Sequence, residues 1–178
     1  MTAPSEETWR LPPRAVLLAA VLLLVAAEVG GASMARYKLE LARWARAEMQ
    51  ARPAVHGLVG VRDVDERILD EALFRVDAGL RLFHMHAEGM ALVIIATTTV
   101  AVTVVRNAST RRALLLLLTV GGVGYPAGYL LWSVLIPALG VERGKTVAEW
   151  LLWLPFGGAT IVGLAWLSGL IALRMARR

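Results

Sequence analysis

Cysteine is absent from the chain. Structural disulfides, cysteine-ligated zinc, iron–sulfur clusters and thiol nucleophiles are thereby excluded together, and any metal must be held by histidine, methionine or carboxylate. Charge is scarce too, at 19% of residues against about 25% in an ordinary soluble domain. With 57% apolar residues and a mean hydropathy of +0.60, the composition belongs to the membrane class and stands against a soluble enzyme. No glycine loop followed by a phosphate-binding lysine, no Ser-His-Asp candidate and no His-Glu-x-x-His helix is present. Internal repeats and low-complexity tracts are lacking as well, which argues against the inverted repeats of a transporter.

What is present is a set of four long apolar runs. Residues 15–35 form the first, broken only by Glu28 and flanked by Arg14 and Arg36; it matches the ~20 residues needed to cross hydrocarbon. This run exceeds the h-region of a secretory signal and is followed by three more spans, so it reads as a retained helix. The others are 82–105, 113–141 with Pro126 and Pro137 inside, and 150–173. Between the first two lies a charged segment, 36–81. Here 37–50 continues the first helix, 53–60 forms a turn, and 62–81 is an amphipathic helix leading into the second span. In that helix Val64, Ile68, Leu69, Leu73 and Val76 follow helical spacing, a face expected to pack on 39–49 or on a partner. The expected fold is an all-α, single-domain integral membrane four-helix bundle with an extramembrane helical hairpin.

Positive charge in short loops sets orientation. The two tails and the 106–112 turn carry eight Arg against two Glu, whereas 36–81 carries nine Lys and Arg against eight acids. Both termini are expected in the cytoplasm, and the hairpin outside an inner membrane. The net charge of +5 is read in the same way, and no nucleic-acid partner is expected.

All three histidines fall in or beside the hairpin: His56 in the turn, and His84 and His86 where the second span opens. In Phe83-His84-Met85-His86-Ala87-Glu88-Gly89-Met90, His86 shares a helix face with Met90, and His84 shares one with Glu88. His84 and His86 point about 200° apart, so a regular helix cannot aim both at one ion. His86, with Phe83, Met90 and Val93, is expected to face the bundle. Glu28 lies roughly 20 Å up the first helix, at a depth like that of Glu88. Since a carboxylate in hydrocarbon is costly, each is expected to face the interior or to be neutral; facing inward they suit a role orienting an imidazole, with a polar contact between helices near the bilayer edge as the alternative for Glu28. Imidazole is a good ligand for haem iron and copper, and methionine supplies a softer bond. Gly121, Gly124 and Gly128 repeat along one face of the third span. They offer either a wall for a flat macrocycle or close helix packing. For His84 and His86 the alternatives to ligation are interfacial anchoring, a bond to a backbone carbonyl, or quinone and proton handling. Trp9, Trp132, Trp150, Trp153 and Trp166 read as an interfacial belt, and Thr97, Thr98, Thr99 and Thr103 as bonding back to their own helix.

From His84 to about Leu139, roughly a third of the chain, the sequence is similar to a class of small bacterial four-helix membrane proteins. These open a span with His-x-His, follow it with a tight basic turn, and carry a Tyr-Pro-x-Gly element, here within Gly124-Tyr125-Pro126-Ala127-Gly128. More remotely, it resembles the His-x-His span openings of haem-bearing oxidase subunits. That likeness implies haem b, with copper as the alternative. The other three spans contain no histidine, so a second axial ligand would come from His56, Met90, Met34 or another subunit. The expected function is that of a small redox-associated membrane protein holding haem b or copper at His84 or His86 on the outer face. Its expected partners are the bilayer, subunits of a membrane complex, a quinone, or further copies of itself. The alternative is a cofactor-free structural or assembly subunit.

Overall fold

The computed structural model describes residues 9–176, and among the described residues all regular structure is helical. Helix α1 spans Arg14–Gln50, α2 is the single turn Pro53–His56, α3 spans Arg62–Val104 and α4 spans Ala108–Leu139. Helix α5 (Val141–Ala148) continues through a π-helical stretch, Glu149–Gly157, into α6 (Gly158–Ala176). Helices α1, α3, α4 and the rod Val141–Ala176 are each long and apolar enough to cross a membrane. The chain is an all-α, multi-pass membrane protein. Helices suit that setting because hydrocarbon offers no partner to a backbone N–H or C=O, and an unbroken helix satisfies both internally.

Helices α1 and α3 outrun the bilayer. Their 37 and 43 residues rise about 55 and about 65 Å at 1.5 Å per residue, against about 30 Å of hydrocarbon. The surplus is the hairpin over 36–81, and no gap divides it from the spans. One residue of α1, Tyr37 (φ −114°, ψ 20°), departs from helical geometry where the apolar run ends. Gly57 and Gly60 take positive φ in the turn, and the Asp65 carboxylate accepts the N–H groups of Val59 and Gly60 at 2.8 and 2.9 Å.

Helices α1 and α3 are antiparallel and meet at three levels. The Arg10 N–H donates to Thr103 Oγ1 (3.1 Å) at one end, Gly30 and Gly31 lie against Phe83 and His84 midway, and Arg46 reaches Glu66 and Asp70 (both 2.5 Å) at the other. The Glu66 hydrogen bond raises the Arg46 pKa against a smaller desolvation cost, and the charge of Asp70 adds to the rise. Of the hairpin face expected from its spacing, Leu69 and Val76 are buried and Val64, Ile68 and Leu73 partly so; Leu69, Val76 and Ala72 beside them pack on Ala45 and Met49 of α1 and on Trp132, Ile136 and Ala148. Helix α4 lies on α3 through Ser133, whose hydroxyl donates to the Val76 carbonyl (2.9 Å), and through Gly122 against Ile94. On its other side α4 takes the rod Val141–Ala176, whose Pro155 sits in the wider π turn; a regular helix interior would disfavour it.

Both ends of the described chain meet at one end of the bundle, as the arginine distribution predicts. There Arg174 and Arg111 donate to the Val104 and Val105 carbonyls (3.0 and 3.3 Å), so arginines that mark orientation also cap the end of α3. Asn107 Oδ1 accepts the Thr110 N–H (2.9 Å) and caps α4. Arg177, Arg178 and the two tail acids lie outside the described residues.

Removing the Arg46 clasp should loosen the hairpin without unfolding the spans. For Arg46→Ala the expected cost is at most about 1 kcal/mol, because the partners are largely solvated. Hydrogen exchange should accelerate over residues 62–75 and not over 85–104; uniform acceleration would show that the clasp is not local.

Candidate functional site

The two span-opening histidines sit on opposite sides of α3. His84 turns to α1, where its Nδ1 lies 2.9 Å from the Ala27 carbonyl, and its Nε2 lies 3.5 Å from Glu88 Oε1 one turn along. A carbonyl only accepts, so Nδ1 carries the proton. The ring fits because residue 31 is glycine: a Cβ there would stand 2.8 Å from His84 Cε1. His84 is thus built into the α1–α3 contact.

His86 turns to α4. Its Nδ1 lies 2.8 Å from the Leu82 carbonyl of its own helix, which again places the proton on Nδ1 and leaves the Nε2 lone pair without a hydrogen bond among the described residues. The ring stacks on Tyr129 (centroids 4.6 Å apart, planes at 26°) and meets Tyr125 edge-on at 5.6 Å. The two tyrosine hydroxyls are 3.0 Å apart. Aromatic contact continues from Tyr129 to Trp153 (4.8 Å) and on to Trp132 (6.1 Å). The Trp132 indole donates to the Val141 carbonyl at 3.2 Å; that of Trp153 is buried with no acceptor among the described residues.

Several expectations change at this point. Met90 does share the α4-facing side with His86, its terminal methyl lying near Gly122, but Phe83 faces α1 and packs beside Gly30. His56 does not join the pair: its Nε2 lies 3.0 Å from the Pro137 carbonyl, an otherwise orphan acceptor in the last turn of α4. Pro137 is eight residues beyond Tyr129, or about 12 Å along the helix. Among the described residues no three His, Asp or Glu side chains form a group that could hold a metal ion. Glu28 is not interior. Helix α1 buries Val16, Ala20, Leu23 and Ala27 toward the bundle, and Glu28, about 100° further round, is exposed on the outer face with no partner among the described residues. Glu88 is half-buried beside His84, so the two acids do not converge.

The glycine face of α4 is filled by side chains. An added Cβ would stand 2.5 Å from Thr160 Oγ1 at Gly121, and would collide with the Phe156 ring at Gly124 and with the Trp153 indole at Gly128. As the structure stands, these glycines admit Thr160, Phe156 and Trp153 and leave no slot for a macrocycle along this face. Trp150 and Trp9 are exposed in the manner of a belt, whereas Trp132 and Trp153 point into the bundle. Tyr129 and Phe156 are the contributors that sequence reasoning did not single out, whereas Trp153 is expected from the sequence near this interface as part of the belt. The four-residue spacing of Tyr125 and Tyr129 was an available sign that both lie on one face. Thr97, Thr98 and Thr99 bond back to carbonyls of their own helix (2.7, 2.5 and 2.7 Å).

A double-mutant cycle tests the His84 seat. Gly31→Ala should cost about 1 to 3 kcal/mol by overpacking, read as a lower Tm in detergent, and much less in a His84→Ala background. Equal losses in both backgrounds would place the clash elsewhere. Comparison with known protein families, with curated proteins and with solved structures returns no match, so the account of the site rests on its own geometry.

Proposed function

We propose that this chain is a small subunit or assembly partner of a larger inner-membrane complex, which it joins through the outward face of α1. The observation that carries this reading is Glu28. Along the helix it stands about 21 Å from Arg14 and about 12 Å from Arg36, inside the apolar layer, and it faces outward without a partner among the described residues. Even the mild insertion scale charges about 2.5 to 3.5 kcal/mol for an acidic residue at mid-membrane. A hydrogen-bond donor on a neighbouring subunit relieves that cost. Val21, Leu22, Val25 and Val29 surround Glu28 with exposed apolar surface for such a contact. The arginine-rich end is proposed to be cytoplasmic and the hairpin to project outward, where it too can meet a partner.

A second reading, a redox-associated protein holding haem b or copper, is favoured by one observation. His86 donates Nδ1–H to a backbone carbonyl and keeps its Nε2 lone pair open, as metal-ligating histidines do. Copper would find Nε2 there, with the Met90 thioether one turn on. Haem does not fit beside His86 as packed, because Tyr125 and Tyr129 occupy that space.

Purification from native membranes in mild detergent, followed by native electrophoresis and an absorption spectrum, separates the two. Wild type and Glu28→Gln are expected in a species well above the 19.3 kDa chain, with Glu28→Leu released from it. A monomeric wild type, or one state shared by all three, would contradict docking through Glu28. A Soret band or bound copper lost in His86→Ala would establish the second reading.

A further inference from the structure

Beyond the docking face and the histidine pair, α1 and α3 part from one another between two clamps. The inner clamp is the seat of Phe83 and His84 on Gly30 and Gly31; the outer is Arg46 on Glu66 and Asp70. Between them, where α1 bends at Tyr37, lies a cavity of about 310 Å³. Its apolar wall comprises Met34, Leu41, Leu73, Phe74 and Leu80. Met34 sits at the end of the first apolar run and Leu80 just before the second, with Lys38 and Asp77 the next turn outward, so the cavity opens where lipid headgroups meet hydrocarbon.

The charges at its mouth are not balanced. Asp77 is paired with Arg81 at 2.8 Å, and Arg46 is shared between Asp70 and Glu66, so the acids here keep one net negative charge against the two positive charges of Lys38 and Arg36. Lys38 is exposed at the rim, Arg36 nearby lies over the Tyr37 ring (5.4 Å), and neither has an ion-pair partner among the described residues. What matches is an amphiphile with an anionic head and a flexible apolar tail.

We propose that this cavity binds one anionic phospholipid of the leaflet opposite the chain termini, its phosphate on Lys38 and part of one acyl chain on the Leu41, Leu73 and Leu80 wall. A single lysine near an anionic headgroup contributes modestly, so the expected selectivity is a preference. Native mass spectrometry of the delipidated full chain, titrated with phosphatidylglycerol or phosphatidylethanolamine of identical acyl chains, tests it. Wild type should bind the first lipid about fivefold more tightly when it is phosphatidylglycerol. Lys38→Ala should lose that preference. Ala42→Trp, which fills the cavity from an exposed position and should keep the wild-type Tm, should lose the first-bound lipid of either kind. Glycerol phosphate without acyl chains should not compete. Equal affinity for the two lipids in wild type, unchanged binding in both variants, competition by glycerol phosphate, or displacement of the lipid by a neutral quinone alike in wild type and Lys38→Ala would each overturn the assignment.

Discussion

The bundle depends on how closely other helices approach α4. Lipid tails are as apolar as leucine, so helices in a bilayer associate through van der Waals contact and a few hydrogen bonds, with little hydrophobic drive. Contact therefore has to be intimate. Helix α4 achieves it with glycine at 121, 124 and 128 on the side of the final rod and at 122 on the side of α3. Thr160, Phe156 and Trp153 enter the first face, Ile94 and Met90 the second. The π-helical stretch carrying Trp153 and Phe156 belongs to the same arrangement, because it holds Pro155 within a continuous helix while both rings bear on α4.

The same principle explains what could be read in advance. Apolar run length and flanking arginines set the number and depth of the spans, since those follow from the thickness of hydrocarbon. The amphipathic spacing of 62–81 revealed a helix running into the bilayer for an equally local reason. Opposite directions for His84 and His86 followed from helical geometry alone. Azimuth was harder to read. Depth placed Glu28 level with the histidines, but which way it faces depends on the small residues Ala20 and Ala27 being the ones laid on α3, a choice made by the partner helix. His56 was read as a turn residue; its bond to Pro137 requires knowing that the end of α4 returns to the hairpin. The aromatic line from His86 through Tyr129 to Trp153 joins three separate stretches of chain, and pairing across helices leaves little local trace.

Its three notable features lie on three different surfaces. His86 and its tyrosines occupy the α3–α4 seam, the lipid-facing cavity opens between α1 and α3, and Glu28 looks away from everything described. An interior histidine held by its own helix and stacked on tyrosine is consistent with a packing role, and its open Nε2 keeps ligation available. The outward carboxyl group of Glu28 differs, since an acid in the apolar layer is costly and none of the described residues places a donor beside it.

Covering of the α1 face can be measured directly, because the chain has no native cysteine to compete for label. A spin label on Val25→Cys, one turn from Glu28, reports collision with dissolved oxygen, which concentrates in lipid. If a neighbour covers this face, oxygen accessibility will be markedly lower in native membranes than in nanodiscs holding one copy each. Equally high accessibility in both settings would show that α1 faces lipid and would contradict the account.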